Sequence, residues 1–397
     1  MLTLDRIYHA AYTLRDVVRE TDMIASPEIA PGNEVYLKTE NLQITGSFKI
    51  RGAYYKISQL SEEEKARGVI ACSAGNHAQG VALAAQHGGI SAKICIPDSA
   101  PISKIEATRK KGAEVVLVEG AYDDAYARAV EIQKEEGRTF IHPFDDEFVI
   151  AGQGTIGLEI LNQLPEVDSV VVPIGGGGLI SGVAYAVKSL RPHCKVYGVQ
   201  SAGAPSMYQA IQNHEIATLP AVQTFADGIA VKRPGNLTYE LVSQYVDEVV
   251  TVTDDEVACA ILALMEQHKL VTEGAGAVPV AAVMFGKIPL AGKKTCCLIS
   301  GGNIDVNILS RVITRGLLKG GRVANLRIAL TDKPGQLEQV SRIIAENGAN
   351  VVSVYHDRSD ENMAINSCFL DISMETRNHE QIQHIRKSLV QAGFELV

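Results

Sequence analysis

No stretch of this 397-residue chain approaches the roughly 18 apolar residues a membrane span requires, and no run of five basic residues occurs. The start, Met1-Leu2-Thr3-Leu4-Asp5, lacks the basic segment and apolar core of a secretory signal, so a cytoplasmic location is expected. Positive charge is in the minority: the formal net charge is −9, which argues against a nucleic-acid or anionic-membrane surface. Cys72, Cys95, Cys194, Cys259, Cys296, Cys297 and Cys368 are odd in number and form no Cys-x-x-Cys pair. Buried free thiols in a reducing compartment fit that pattern better than disulfides or zinc, and no metal site is expected. A Walker loop is missing, as is a Gly-x-Gly-x-x-Gly turn in the first unit followed by an acidic residue, which discourages a nicotinamide dehydrogenase. What remains is a globular composition, with charged residues at 21%, in a chain long enough for two domains, one of them large.

The hydrophobic pattern defines the class. Residues 5–25 read mostly as helix, and 35–38 as a short strand. From 50 to 300, short Val- and Ile-rich runs (69–72, 92–96, 114–118, 169–173, 196–199) alternate with longer helical patterns. Strands separated by a dozen or more helical residues imply parallel sheets with crossovers, whose ligands bind in the loops at the carboxyl ends of the strands. Beyond Leu318-Lys319-Gly320-Gly321-Arg322 the pattern changes. A half-buried strand (324–330), a helix to about 347, strands at 350–357 and 363–372, a helix (379–392) and a last strand (394–397) give β-α-β-β-α-β, a ferredoxin-like order. The expected division is 1–318, a linker at 319–322, and 323–397.

Several loops carry chemistry. In Thr45-Gly46-Ser47-Phe48-Lys49-Ile50-Arg51-Gly52 a lysine follows a small-residue turn and opens a helix. In a pocket its amine would have a depressed pKa and could form the Schiff base that carries pyridoxal phosphate; otherwise it is a surface lysine. Ser73-Ala74-Gly75-Asn76-His77 joins a strand to a helix. It suits either a carboxylate at a helix N-terminus or a simple capping turn. Gly175-Gly176-Gly177-Gly178-Leu179 follows a strand and opens a helix, so its amides can approach a phosphate unhindered by β-carbons. Phe225-Ala226-Asp227-Gly228-Ile229 and Arg233-Pro234-Gly235-Asn236 read as irregular loops near a site. In Thr272-Glu273-Gly274-Ala275-Gly276 the carboxylate either orients something polar or caps the next helix, while the small residues admit a flat ring. Ser300-Gly301-Gly302-Asn303 ends a strand, and its serine could meet a pyridine nitrogen without protonating it.

With these six stretches in this order, the chain resembles the threonine dehydratases (threonine ammonia-lyases) of the fold-type II pyridoxal-phosphate family over essentially its whole length. The 323–397 segment, with Asp332-x-Pro334-Gly335-x-Leu337, resembles an ACT domain, the regulatory module that binds amino acids. The resemblance implies two open, mainly parallel sheets with flanking helices and pyridoxal phosphate between them, plus the ACT domain. It assigns Lys49 the cofactor link and the role of catalytic base, and places Phe48 beside the cofactor. Asn76 would lie on the ring hydroxyl, Ser300 at the ring nitrogen, and Gly175, Gly176, Gly177, Gly178 and Leu179 on the phosphate. Ser73, Ala74, Gly75, Asn76 and His77 would take the substrate carboxylate.

The reaction so implied is deamination of L-threonine to 2-oxobutanoate and ammonia, and of L-serine to pyruvate. An amino-acid effector, isoleucine or valine, would act at the ACT domain of a homodimer or homotetramer; whether the role is isoleucine biosynthesis or threonine catabolism stays open. Serine racemase is the nearest alternative, but where that family supplies a serine as second acid/base this chain has Ala74. Gln200 and Ser206 stand where its divalent-metal loop has carboxylates. Cysteine synthase and threonine synthase explain neither 233–236 nor the ACT segment. An amino-acid-sensing regulator with a dead catalytic domain is opposed by Lys49.

Overall fold

The computed structural model describes residues 2–359 and 364–397. The chain divides into two compact units, Met1–Ile308 and Leu309–Val397.

The first unit holds two sheets. The larger has six strands in the order Met23–Ala25, Glu34–Lys38, Lys294–Leu298, Ser169–Pro173, Lys195–Ser201, Glu248–Val252. All neighbours are parallel except the first pair. The smaller runs Glu114–Val118, Ala92–Pro97, Val69–Cys72, Thr139–Phe140, entirely parallel. Val69–Cys72 and Ser169–Pro173 are buried at every position, as strands with helices on both faces must be. Helix Gly178–Leu190 packs Leu179, Ile180, Val183 and Val187 onto Val170, Val172 and Val196. Fully burying each of those side chains contributes about 1.5–3 kcal/mol. Among the described residues, no helix is long and apolar enough to cross a membrane.

Residues 5–25 differ from the helical expectation. Thr3 caps the helix Leu4–Leu14 by accepting from the Arg6 amide, and Ile7, Ala10 and Leu14 form its buried stripe. Met23–Ala25 is instead an edge strand, paired antiparallel from Met23 opposite Lys38 to Ala25 opposite Tyr36. Pro27 and the Pro31-Gly32 turn, with Gly32 at φ +83°, bring the chain back on itself, so strand pairing overrides local helical periodicity.

The second unit is a ferredoxin-like β-α-β-β-α-β sheet, antiparallel throughout, ordered Asn350–Asp357, Ser367–Glu375, Val323–Thr331, Glu395–Leu396. Helices Gln336–Glu346 and His379–Gln391 contribute Val340, Ile344, Ile385 and Leu389 to one core with Leu326, Ile328, Leu370 and Ile372. The strand expected at 363–372 runs Ser367–Glu375; Met363, its expected first residue, lies outside the described residues. A turn in which the Ser367 amide donates to Ala364 O delays its start, and the inward alternation then continues to Met374.

Candidate active site

Lys49 is the first residue of helix Lys49–Ser58. Two backbone contacts seat it: the Phe48 amide donates to Ser300 O (3.1 Å), and Ser47 bridges Gly301. Two residues on, Arg51 is 1% exposed and donates to both oxygens of Glu40 at 2.8 Å and to Glu159. Lys38 donates to the same Glu159 (2.6 Å) and to Thr21 O (2.6 Å). Burial opposes the Glu40 charge, but the guanidinium beside it holds the carboxyl below its ordinary range. A buried, mutually satisfied network of this kind fixes the helix start that presents Lys49.

A cavity of about 1040 Å³ opens between the carboxyl ends of the two sheets. Phe48, Lys49, Ser73, Ala74, Gly75, Asn76, His77, Gly175, Gly176, Gly177, Gly178, Leu179 and Ser300 all line it. These stretches, spread over 250 residues of sequence, thus meet around one space. The Lys49 amine sits 5.2 Å from the Phe48 ring centroid and donates to Pro143 O (2.9 Å). Burial pushes its pKa down to about 8, with Glu273 pulling the other way. His77 bonds Ile141 O through Nε2 (2.8 Å), and burial together with the nearby Lys49 charge takes it down to about 3. It is a neutral imidazole, and its bond to a carbonyl makes Nε2 the protonated nitrogen.

The glycine run lines the same cavity as Lys49 and forms a tight turn against Phe144, beside the Pro143 carbonyl that holds the Lys49 amine. Gly177 has φ +100° and caps helix Gly178–Leu190. A β-carbon there would come within 2.8 Å of Met207 and Thr238, and one on Gly178 within 2.8 Å of the Phe144 backbone. Among the described residues, the amides of Gly176, Gly177, Gly178 and Leu179 donate to no protein acceptor. Four free donors on a helix N-terminus, facing a cavity, suit a phosphate dianion. Thr238 Oγ1 holds the turn by donating to Gly176 O (2.6 Å). Asp145 in turn accepts from the amides of Asn236 and Thr238, both at 3.1 Å. Thr238 and Asp145 carry no catalytic motif, and their neighbours Phe144, Asp146, Leu237 and Tyr239 give no sequence sign that they support the glycine turn.

A buried lysine of lowered pKa and a turn of unpaired amides lining one cavity between two mainly parallel sheets fit pyridoxal phosphate. A family model described as "Pyridoxal-phosphate dependent enzyme" matches residues 14–301. The chain belongs to the family of pyridoxal-phosphate dependent enzymes. Over its full length it is 52% identical to an L-threonine ammonia-lyase of Thermotoga maritima, an alignment covering 99% of that protein. It is 48% identical to the catabolic L-threonine dehydratase TdcB of Escherichia coli, over 78% of this chain and 96% of that one. Among solved structures, the processed form of threonine deaminase isoform 2 from Solanum lycopersicum superposes with a TM-score of 0.75 at 38% identity, covering 80% of this chain and 90% of that one. Maize serine racemase gives a TM-score of 0.75 at 35% identity, over 80% of this chain and 98% of that one.

Within this pyridoxal-phosphate enzyme, Ala74 presents a methyl group to the cavity. The Gln200 amide is occupied within the protein, donating to Ile174 O (3.3 Å) and accepting from the Tyr208 amide (2.8 Å). Glu273 and Asn303 also face the cavity. Glu273 resolves one open alternative: it stands at the N-cap of helix Gly274–Met284 but makes no side-chain capping bond, and both its oxygens accept from Asn76.

Proposed function

We propose that the chain deaminates L-threonine to 2-oxobutanoate and ammonia, and L-serine to pyruvate by the same route. The observation that carries this reading is that Lys49 and the unpaired glycine-turn amides line one cavity. The full-length likeness to an L-threonine ammonia-lyase supports the choice of substrate. Bound pyridoxal phosphate supplies the electron sink that acidifies the substrate's α-carbon.

The protein's own residues do the rest. The amides of Gly175, Gly176, Gly177, Gly178 and Leu179 hold the phosphate. With the cofactor bound, Ser300 would offer the ring nitrogen a neutral hydroxyl that withholds a full proton, Phe48 would flank the ring and Asn76 would meet its hydroxyl. Ser73, Ala74, Gly75, Asn76 and His77, at the start of helix Asn76–His87, take the substrate carboxylate. Lys49, with its amine lowered to about 8, is neutral in about one molecule in ten at pH 7, far more than an ordinary lysine, and removes the α-proton. Ala74, which lines the cavity where a racemase of this family has a serine, has no proton to give, so deamination rather than racemisation is favoured.

Incubation with L-threonine and with L-serine tests the reading, assaying keto acid, ammonia and D-serine together. The expected products are the keto acids, with D-serine at most minor. D-serine as the main product would establish a racemase instead. Residues 323–397 of the second unit are read as an ACT domain that binds isoleucine or valine near residues 334–337 in a homodimer or homotetramer, joined by a linker at 319–322 where helix Val306–Lys319 ends; the ferredoxin-like order and the Asp332-x-Pro334-Gly335-x-Leu337 stretch support this, although compactness divides the chain earlier, after Ile308.

A further inference from the structure

One buried carboxylate in the cavity wall has no part in that chemistry. Glu273 is 4% exposed, and both its oxygens accept from Asn76 Nδ2, at 2.7 and 3.0 Å. Asn76 Oδ1 accepts from Asn303 Nδ2 (2.7 Å), which also donates to the backbone oxygen of Thr45 (2.8 Å). A carbonyl cannot donate, so Thr45 fixes the orientation of the Asn303 amide, and Asn303 fixes that of Asn76. The ionised carboxylate, an acceptor only, enforces the same orientation from the other end. The amide nitrogen of Asn76 is thus locked against Glu273 in a relay of three side chains, all of which line the cavity.

The surrounding sequence makes room for this relay. A β-carbon on Gly46 would collide with the Asn303 amide, and one on Gly301 with Glu273 Oε1. Gly228 approaches the same carboxylate, its hypothetical β-carbon falling 3.3 Å from Oε1. The turn before Lys49, the stretch after Ser300 and the Glu273 stretch therefore form one hydrogen-bonded construction.

We propose that Glu273 is a positioning residue: acting through Asn76, it keeps an amide N–H rather than a carbonyl facing the ring hydroxyl of bound pyridoxal phosphate, and so sets the affinity for the cofactor and its ionic form. This rests on the reading that Asn76 meets the ring in this cavity. A donor aimed at that oxygen favours its ionised form. Protonating Glu273 gives one of its oxygens a hydrogen and removes half of the anchor, so the hold weakens as pH falls. Charged groups bearing on it are Lys49, Lys104 and Asp227. Burial raises its carboxyl to about 7, Asn76 and Lys104 oppose that rise, and the transition thereby falls within an ordinary assay range.

The test uses the full chain, stripped of cofactor and reloaded, as wild type, Glu273→Gln and Glu273→Leu. Dissociation constants for pyridoxal phosphate and the pH dependence of its absorption band are measured, with thermal unfolding of the cofactor-free chains alongside. Glutamine keeps an acceptor for Asn76 but cannot ionise. It should hold affinity within about threefold and abolish the band's pH transition near neutrality. Leucine should weaken binding by about tenfold or more, the worth of a lost hydrogen bond to a charged group. Variants that change only thermal stability, with wild-type band, pH profile and affinity, would overturn this inference alone. A wild-type chain that shows no lysine-linked band would overturn the underlying reading and this inference together.

Discussion

At the scale of single residues, the account turns on two ionisable groups whose pKa values are moved in opposite senses. Lys49 is depressed to about 8, so between pH 8 and 10.5 the unfolded chain binds a proton that the folded chain does not, and stability rises with pH across that window. Glu273 is raised to about 7, so between pH 4.5 and 7 the folded chain carries the extra proton and stability falls as pH rises. Denaturant midpoints of the cofactor-free protein should show both slopes. Lys49→Met should flatten the alkaline slope and Glu273→Gln the acidic one; unchanged slopes would mean that neither group is desolvated as described. The lysine was legible in the sequence because its neighbours form a recognisable stretch. Glu273 was legible only as a choice between orienting a polar group and capping a helix; the partner that decides it, Asn76, lies 197 positions away and no local pattern encodes that meeting.

At the scale of elements, the parallel strands could be read almost to the residue where both faces are buried, since a continuous Val/Ile run has only one use in such a sheet. Val69–Cys72 and Ser169–Pro173 fall where the hydrophobic runs place them. The edge strand Met23–Ala25 could not be read this way, because its partner supplies the register and its own three residues carry no period. The glycine turn was legible as a cradle, but its supports, Thr238 and Asp145, were not. Gly177→Ala forces a side chain into a backbone of φ +100° and against Met207 and Thr238. It should weaken pyridoxal-phosphate binding tenfold or more in a fluorescence titration and cost the apoprotein about 1–3 kcal/mol. Arg51→Met leaves Glu40 buried without its guanidinium and should cost about 3–5 kcal/mol in urea unfolding. A loss under 1 kcal/mol would show that the network does not anchor the helix carrying Lys49.

At the scale of the whole molecule, two units with separate cores assign chemistry to the first and, by our reading, regulation to the second. Removing residues 323–397 should leave keto-acid formation in place and abolish any response to isoleucine or valine. A truncated chain that still responds would move the effector site into the catalytic unit. The alternation of apolar residues in 324–330 made the change of fold visible in sequence, whereas the start of the strand at Ser367 depends on a turn that periodicity does not register.

The most direct test of the central claim is the absorption spectrum of the purified protein before and after addition of L-threonine, with 2-oxobutanoate assayed in the same cuvette and Lys49→Ala run beside the wild type. The expected result is a Schiff-base band that changes with threonine as keto acid appears, with both absent from the variant. A wild-type protein that takes up no pyridoxal phosphate, or a Lys49→Ala variant that keeps both the band and the turnover, would contradict it.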